Sequence, residues 1–327
     1  MSIAGLATAL AVSLAACGEA GQSGTDAPDP GAEGEGCAPI ADEQLVVLED
    51  DQGLQTADNI VPAVHEDAAA PEAIAALDAV SAALDTPKLI ALNKAVDVDR
   101  QTPDQAAADF AEAEGLADGI QAGEGGDIVV VTAGFSENQT LGALYDIALT
   151  AAGYEVEVRT VDSREVYAPE LQSGAVQVVP EYLGTLTEFL NAQVNGADPE
   201  PLASSDVDAT LAALSDLGEQ VGLVFGEPSA AADQNAFAVT QAFADEYQVG
   251  TLTELAEKCS GAETLLGGPP ECPQRPFCQP GLEDVYGLTV GPFASLDAGG
   301  PQTKQALMDG TVSVGLVFSS DAALAPQ

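Results

Sequence analysis

Apolar and polar positions alternate between two periods along this chain. Asp127–Thr132 (DIVVVT) is apolar without a break from Ile128 to Val131, the pattern of a strand covered on both faces in a parallel sheet. Tyr154–Thr160 and Val176–Val179 read as further strands. Between them, Gln139–Ala152 carries apolar residues at helical spacing and is stopped by Gly153. Ser163 can cap a second helix running to Gln172, which Gly174 ends. Such a β-α-β-α-β series predicts a parallel sheet with right-handed crossovers. Asp206–Val221 adds a helix and Leu223–Phe225 a strand.

A second series begins at Ala236–Thr240 (AFAVT). Helices are expected at Gln241–Tyr247, Thr251–Lys258, Leu282–Tyr286 and after Pro301, with strands at Glu263–Leu266, Leu288–Phe293 and Val312–Phe318. Ahead of both series, Glu43–Glu49 reads as a strand and Asp51-Gln52-Gly53 as a turn. Ala70–Asp85, Pro87–Val96 and Pro103–Ala113 read as helices, with Pro71 and Pro103 at first turns, where proline fits. Gly115–Gly126 is a joint rich in glycine and acids. Two α/β units joined by crossing segments predict a two-lobed α/β clamshell. In open α/β sheets, ligands sit beyond the carboxyl ends of the strands, where helix N-termini offer N–H groups. Gly134–Asn138 and Asp297–Pro301 are loops of that kind.

The N-terminus changes the picture from a free domain to an exported, anchored one. Ile3–Ala16 is a short apolar run ending Leu14-Ala15-Ala16-Cys17. It is too short to span a bilayer and suits a signal segment. Small residues before Cys17 resemble the lipobox of bacterial lipoproteins, in which cleavage leaves the cysteine as the lipidated N-terminus. Met1–Gly5 lacks the usual Lys or Arg. Gly18–Gly36, rich in Gly, Asp, Pro, Glu and Ser, reads as a flexible tether spanning roughly 25 Å. Cys37, Cys259, Cys272 and Cys278 remain, an even number that favours disulfides in an exported chain; three pairings are open.

Composition excludes whole classes of function. Fifty-three acids oppose eight bases in 327 residues, giving a formal charge of −45. That field repels nucleic acid and anionic lipid headgroups. One histidine, His65, leaves no room for a Ser-His-Asp triad or a multi-histidine metal site. No calcium loop, nucleophile elbow or phosphate loop is present. The chain therefore lacks the usual sequence signals of an enzyme, a cofactor site or a metal site.

Long stretches resemble a known family. Gly134–Thr185 (GFSENQTLGALYDIALTAAGYEVEVRTVDSREVYAPELQSGAVQVVPEYLGT), Leu266–Leu288 and Leu296–Asp321 are similar to the osmoprotectant, or quaternary-amine, binding proteins of ABC importers. The resemblance implies a type II periplasmic-binding-protein clamshell that hands glycine betaine, choline or a related amine to a permease and ATPase, held at the extracytoplasmic membrane face by a lipid anchor. A different polar zwitterion, such as an amino-acid derivative, and a ligand-sensing role are the alternatives.

The order of segments departs from the family. The stretch resembling LVFSSDAALA is normally followed by one resembling LVVLEDDQGLQTADNIVPAV, which here lies near the N-terminus. This reads as a circular permutation, which needs neighbouring termini and a break in a surface loop. A gene assembled out of order and lobe exchange between two chains are the rivals. The expected division is a signal peptide at 1–17, a tether at 18–37, a first lobe at 38–235 in which 38–115 precedes 127–235, a second lobe at 236–317, and a terminal segment at 318–327 docking back onto the first lobe. One crossing in mid-chain, near residue 235, is expected.

The resemblance also implies a site. A quaternary ammonium donates no hydrogen bond, so aromatic faces hold it, while a carboxylate needs Arg, Thr or N–H donors. Tyr182, Phe237 and Phe318 stand at cage positions, Thr185 and Arg275 at carboxylate positions, and Asn235 in the crossing segment. Asp58 and Asn59 stand where the family often has a further aromatic, and Ala133 where it often has a lysine. Gly134, Ser136 and Ser163 lie in adjoining strand–helix loops.

Overall fold

The computed structural model describes residues 34–161, 163–196 and 199–325. The expected signal peptide, Cys17 and most of the tether lie outside the described residues.

Two five-stranded sheets form two lobes. The first sheet has the order β4-β3-β5-β2-β6, from β2 (Ile60–His65), β3 (Gly126–Thr132), β4 (Tyr154–Thr160), β5 (Val178–Tyr182) and β6 (Leu223–Phe225). β3 runs parallel to β4 and β5, as its own unbroken apolar run predicts, and β2 runs antiparallel between β5 and β6. On one face pack α1 (Pro71–Ala83), α2 (Thr86–Asp97), α3 (Pro103–Glu114) and α4 (Ser136–Ala151), around Leu77, Leu141, Leu144 and Tyr145. On the other pack α5 (Arg164–Gln172), α6 (Leu183–Asn195) and α7 (Val207–Val221), around Leu171, Leu190 and Leu214. Proline stands in the first turn of α1, α2 and α3, where its missing N–H costs nothing. Thr102 and Gln105 close a reciprocal capping box on α3.

The second sheet has the order β1-β7-β10-β8-β9. Its strands are β1 (Leu45–Leu48), β7 (Asn235–Thr240), β8 (Leu266–Gly268), β9 (Ala294–Ser295) and β10 (Val314–Phe318). Its helices are α8 (Gln241–Tyr247), α9 (Leu252–Cys259), α10 (Gln279–Tyr286) and α11 (Pro301–Met308). Of the three open cysteine pairings, the structure closes Cys37–Cys259 and Cys272–Cys278, both in this lobe.

The division of lobes differs from expectation at one strand. β1 pairs antiparallel with β7, Leu45 opposite Thr240 and Leu48 opposite Phe237, so it belongs to the second sheet rather than to a first lobe beginning at residue 38. Leu48 fills the same core as Phe237 and Phe243. The chain therefore crosses between sheets twice in its interior, at Leu54–Asn59 and at Asp233–Asn235, where a single crossing was expected. The crossings pair with one another: Asn59 bridges Ala232, and Asp233 N–H donates to Asp58 C=O at 3.1 Å. Leu288–Phe293, expected as a strand, forms only an isolated bridge at Val290. His65 ends β2, buried, its Nδ1 accepting from Asp67 N–H.

Candidate functional site

Strand direction brings the expected residues to the inner ends of both sheets. In the first lobe β3 and β5 point the same way, so the loop after β3 and Tyr182 at the end of β5 lie together. β2 runs the other way, placing Ile60 opposite Tyr182 and bringing Asp58 and Asn59 beside them. In the second lobe β7 opposes β10, with Asn235 opposite Phe318.

The lobe-one half is built on acids and aromatics. Phe135, between Gly134 and Ser136 at the mouth of α4, is 45% exposed, and its ring centroid lies 6.1 Å from that of Tyr182. Tyr182 is buried, and its hydroxyl donates to Glu137 Oε1 at 2.8 Å. Glu137 also accepts from Asn93 Nδ2 at 2.6 Å; burial pushes its carboxyl above the usual range against these bonds. Asp233, on the second crossing, is raised for the same reason, then by the charge of Glu137. Ser320 Oγ donates to Asp233 at 2.8 Å, and Ser320 C=O accepts from Asn93 at 2.8 Å. The end of β10 is thereby tied to α2 and to the crossing.

Thr185 does not stand free for a ligand. Its N–H donates to Asp58 Oδ1 at 3.0 Å, and its hydroxyl accepts from Arg164 at 3.0 Å. Asp58 is 7% exposed; burial raises its carboxyl to about 6, outweighing the Thr185 N–H and the charge of Arg164. Arg164 forks onto buried Glu181 at 2.9 and 2.6 Å, and Tyr167 donates to the same carboxylate at 2.7 Å. Burial works against the Arg164 charge, but Glu181 more than compensates and holds its pKa up. Ser163 precedes α5 without a side-chain cap bond, and Asn59 donates to Ser229 C=O at 2.8 Å. The loop Asp297–Pro301 is likewise filled from within: Asp297 accepts from the N–H groups of Gln302 and Thr303 at 3.0 and 2.9 Å. Of the two loops expected to offer N–H donors, Asp297–Pro301 is thus filled by the chain's own carboxylate, while Gly134–Asn138 has no side-chain cap at Phe135.

The lobe-two half is a cavity of about 180 Å³ whose lining includes Asn235, Arg275, Phe277, Leu316 and Phe318. Phe277 is 44% and Phe318 39% exposed. Arg275 is exposed and has no ion-pair partner among the described residues, although six of the chain's eight bases are paired there. Phe237, expected as a cage face, is instead a core residue, 1% exposed among Leu48, Phe243 and Leu316. Phe135, Phe277 and Arg164 were not singled out in the sequence. Phe135 and Phe277 carry a visible signal, an aromatic at a strand–helix turn and one inside a short cysteine-flanked loop. A larger hollow of about 650 Å³ lies at the far end of the first sheet, beside His65 and Tyr154, away from these residues.

The family model for the substrate binding domain of ABC-type glycine betaine transport systems matches residues 38–113 and 126–326. The chain belongs to this family. A glycine-betaine-binding protein of Pseudomonas aeruginosa is 37% identical to this glycine betaine-type binding domain over 89 residues, 27% of this chain and 29% of the relative. The matched stretch thus spans less than a third of that relative's length. A crystal structure of a glycine betaine/carnitine/choline ABC transporter is 18% identical, covers 61% of this chain and 71% of its own, and superposes with a TM-score of 0.44. No helix among the described residues is long and apolar enough to cross a membrane.

Proposed function

We propose that this chain is the extracytoplasmic solute-binding component of an ABC importer, held at the membrane by a lipid on Cys17, and that it delivers glycine betaine, choline or a related quaternary amine to a permease and its ATPase. One observation carries the reading: Phe135, Phe277 and Phe318, the exposed phenylalanines of the described residues, all stand at the inner ends of the sheets, together with the unpaired Arg275. Exposed rings cost solvation in water, and their faces attract a cation that has no N–H to donate, at about 0.5–2 kcal/mol each. A guanidinium left without an acid among the described residues complements a ligand carboxylate, worth about 1.5–3 kcal/mol as a charge-assisted bond. Tyr182 backs Phe135, and Asn235 and the Gly134–Ser136 loop border the cleft.

The reading includes a circular permutation. The two stretches matched by the family flank the Gly115–Gly126 joint, which supports it. So does the packing of Leu324 against Leu45, which sets the last described turn beside the strand that follows it in the family's usual order. Both inter-lobe crossings stay within the chain, so a break at this point leaves the hinge covalently intact.

Titrating glycine betaine and choline into the oxidised protein and its Arg275→Ala variant tests the assignment. The variant should lose glycine betaine by about 10–100-fold and keep choline, which has no carboxylate, within threefold. Equal loss of both, or of neither, removes Arg275 from the site; binding of an amino-acid derivative in place of both favours the other zwitterion.

A further inference from the structure

The segment between β1 and β2 is gripped at both ends by groups that belong to the two halves of the cleft. On the second-lobe side, the Asp50 carboxylate accepts the N–H groups of Leu54 and Gln55 at 2.9 and 2.7 Å, and Tyr286 donates to the same carboxylate. Leu54 is buried against Gly281 of α10, where any Cβ would collide with Leu54 and with the Pro276 carbonyl. The buried Gln55 side chain donates from Nε2 to the Phe277 carbonyl at 3.0 Å. That carbonyl belongs to the Cys272–Cys278 loop, which carries Arg275 and Phe277. On the first-lobe side, Asp58 accepts the Thr185 N–H, and the Asn59 carbonyl accepts the Leu183 N–H at 3.0 Å. A Cβ at Gly184 would come within 2.7 Å of the Ala57 carbonyl, so only glycine lets this segment lie on the first turn of α6.

We propose that Leu54–Asn59 is a two-ended latch in which Gln55 positions the Arg275–Phe277 loop and Asp58 positions the first turn of α6, so that ligand affinity is set through a segment that does not itself touch ligand. The inference rests on the cleft being the quaternary-amine site. It makes Gln55 and Asp58 positioning residues, although the resemblance to the family placed Asp58 against the ligand. The physical cause is geometric. A seven-residue disulfide loop is short, but its orientation to the sheet is free unless something outside it fixes a backbone group, and Gln55 supplies that fixed point from the segment that links the two sheets.

Gln55→Met keeps length and apolar bulk and removes the donor. Hydrogen exchange should rise in the peptide spanning residues 272–278 and stay unchanged in α4, with unfolding still cooperative. The Kd for glycine betaine should rise about tenfold. In an Arg275→Ala/Phe277→Ala background the same change should move Kd less than threefold, because a residue acting through the loop has no effect left once both of the loop's ligand groups are gone. Unchanged exchange in the loop, or a full tenfold effect that persists in the Arg275→Ala/Phe277→Ala background, overturns the latch. Should the wild type bind no amine while Gln55→Met still loosens the loop, the ligand assignment fails and the mechanical half of the latch stands.

Discussion

Asp58→Asn should stabilise the folded protein at neutral pH, and the gain should fade with acid. The Asp58 carboxylate lies buried against the first turn of α6, where burial lifts its pKa from the ordinary 3.8 to about 6. A carboxyl with a raised folded-state pKa binds its proton more tightly when folded. Its favourable contribution is therefore full below the unfolded value, near 4, and is lost as pH rises through about 6. About two pH units at about 1.4 kcal/mol each gives a cost near 3 kcal/mol at pH 8. Asparagine keeps an acceptor for the Thr185 N–H and carries no charge. The variant should exceed the wild type by up to about 3 kcal/mol at pH 8 and by about half that at pH 5. Urea unfolding of both proteins at pH 5, 6, 7 and 8, in high salt and without ligand, reads the difference directly. A gap that does not change with pH, or a variant less stable than the wild type at pH 8, refutes the reasoning.

Further outcomes follow from the same contacts. Phe135→Ala, Phe277→Ala and Phe318→Ala should each weaken a quaternary amine about 3–30-fold by calorimetric titration while leaving unfolding nearly unchanged, since all three rings are exposed; Phe237→Ala should instead cost about 3–5 kcal/mol of stability, because that ring is core. Arg164→Met leaves buried Glu181 without its counter-charge and should destabilise by about 3–5 kcal/mol in urea unfolding, whereas an exposed pair such as Lys94–Asp99 should contribute under about 1 kcal/mol. With a formal charge of −45, Tm should rise steeply between 0.1 and 1 M NaCl, as the screening length falls from about 10 to 3 Å; a flat Tm would contradict a self-repelling surface.

Local signals carried most of the elements, and non-local ones decided the rest. Tyr154–Thr160, Leu223–Phe225 and Gln241–Tyr247 are bounded in sequence by glycine or a capping threonine, and the structure keeps those bounds. β1 was visible as a strand, but its partner was not: alternation says which residues are buried, not which open sheet edge will take them. The resemblance implies a first lobe running from residue 38 to 235, while the edge of β7 takes β1 into the other. Phe237 was misread for a related reason. β7 is buried on both faces from Ala236 to Thr240, so no period of two marks which aromatic points to the core. Helix α6 is absent from the expected elements, although Leu183, Leu186 and Leu190 fall on one helical face. The resemblance to the family implies Thr185 as a carboxylate donor. That Asp58 and Arg164 occupy it depends on three segments meeting at the hinge, a register no single stretch of sequence encodes.

Calorimetric titration of glycine betaine into the oxidised, cooperatively folded protein tests the central claim most directly. The account predicts saturable binding at one site per chain, displaced by choline, with about 4 kcal/mol added to stability at a thousandfold excess over Kd. No heat and no stabilisation from glycine betaine, choline, carnitine or proline betaine, in a protein that still unfolds cooperatively, would contradict it.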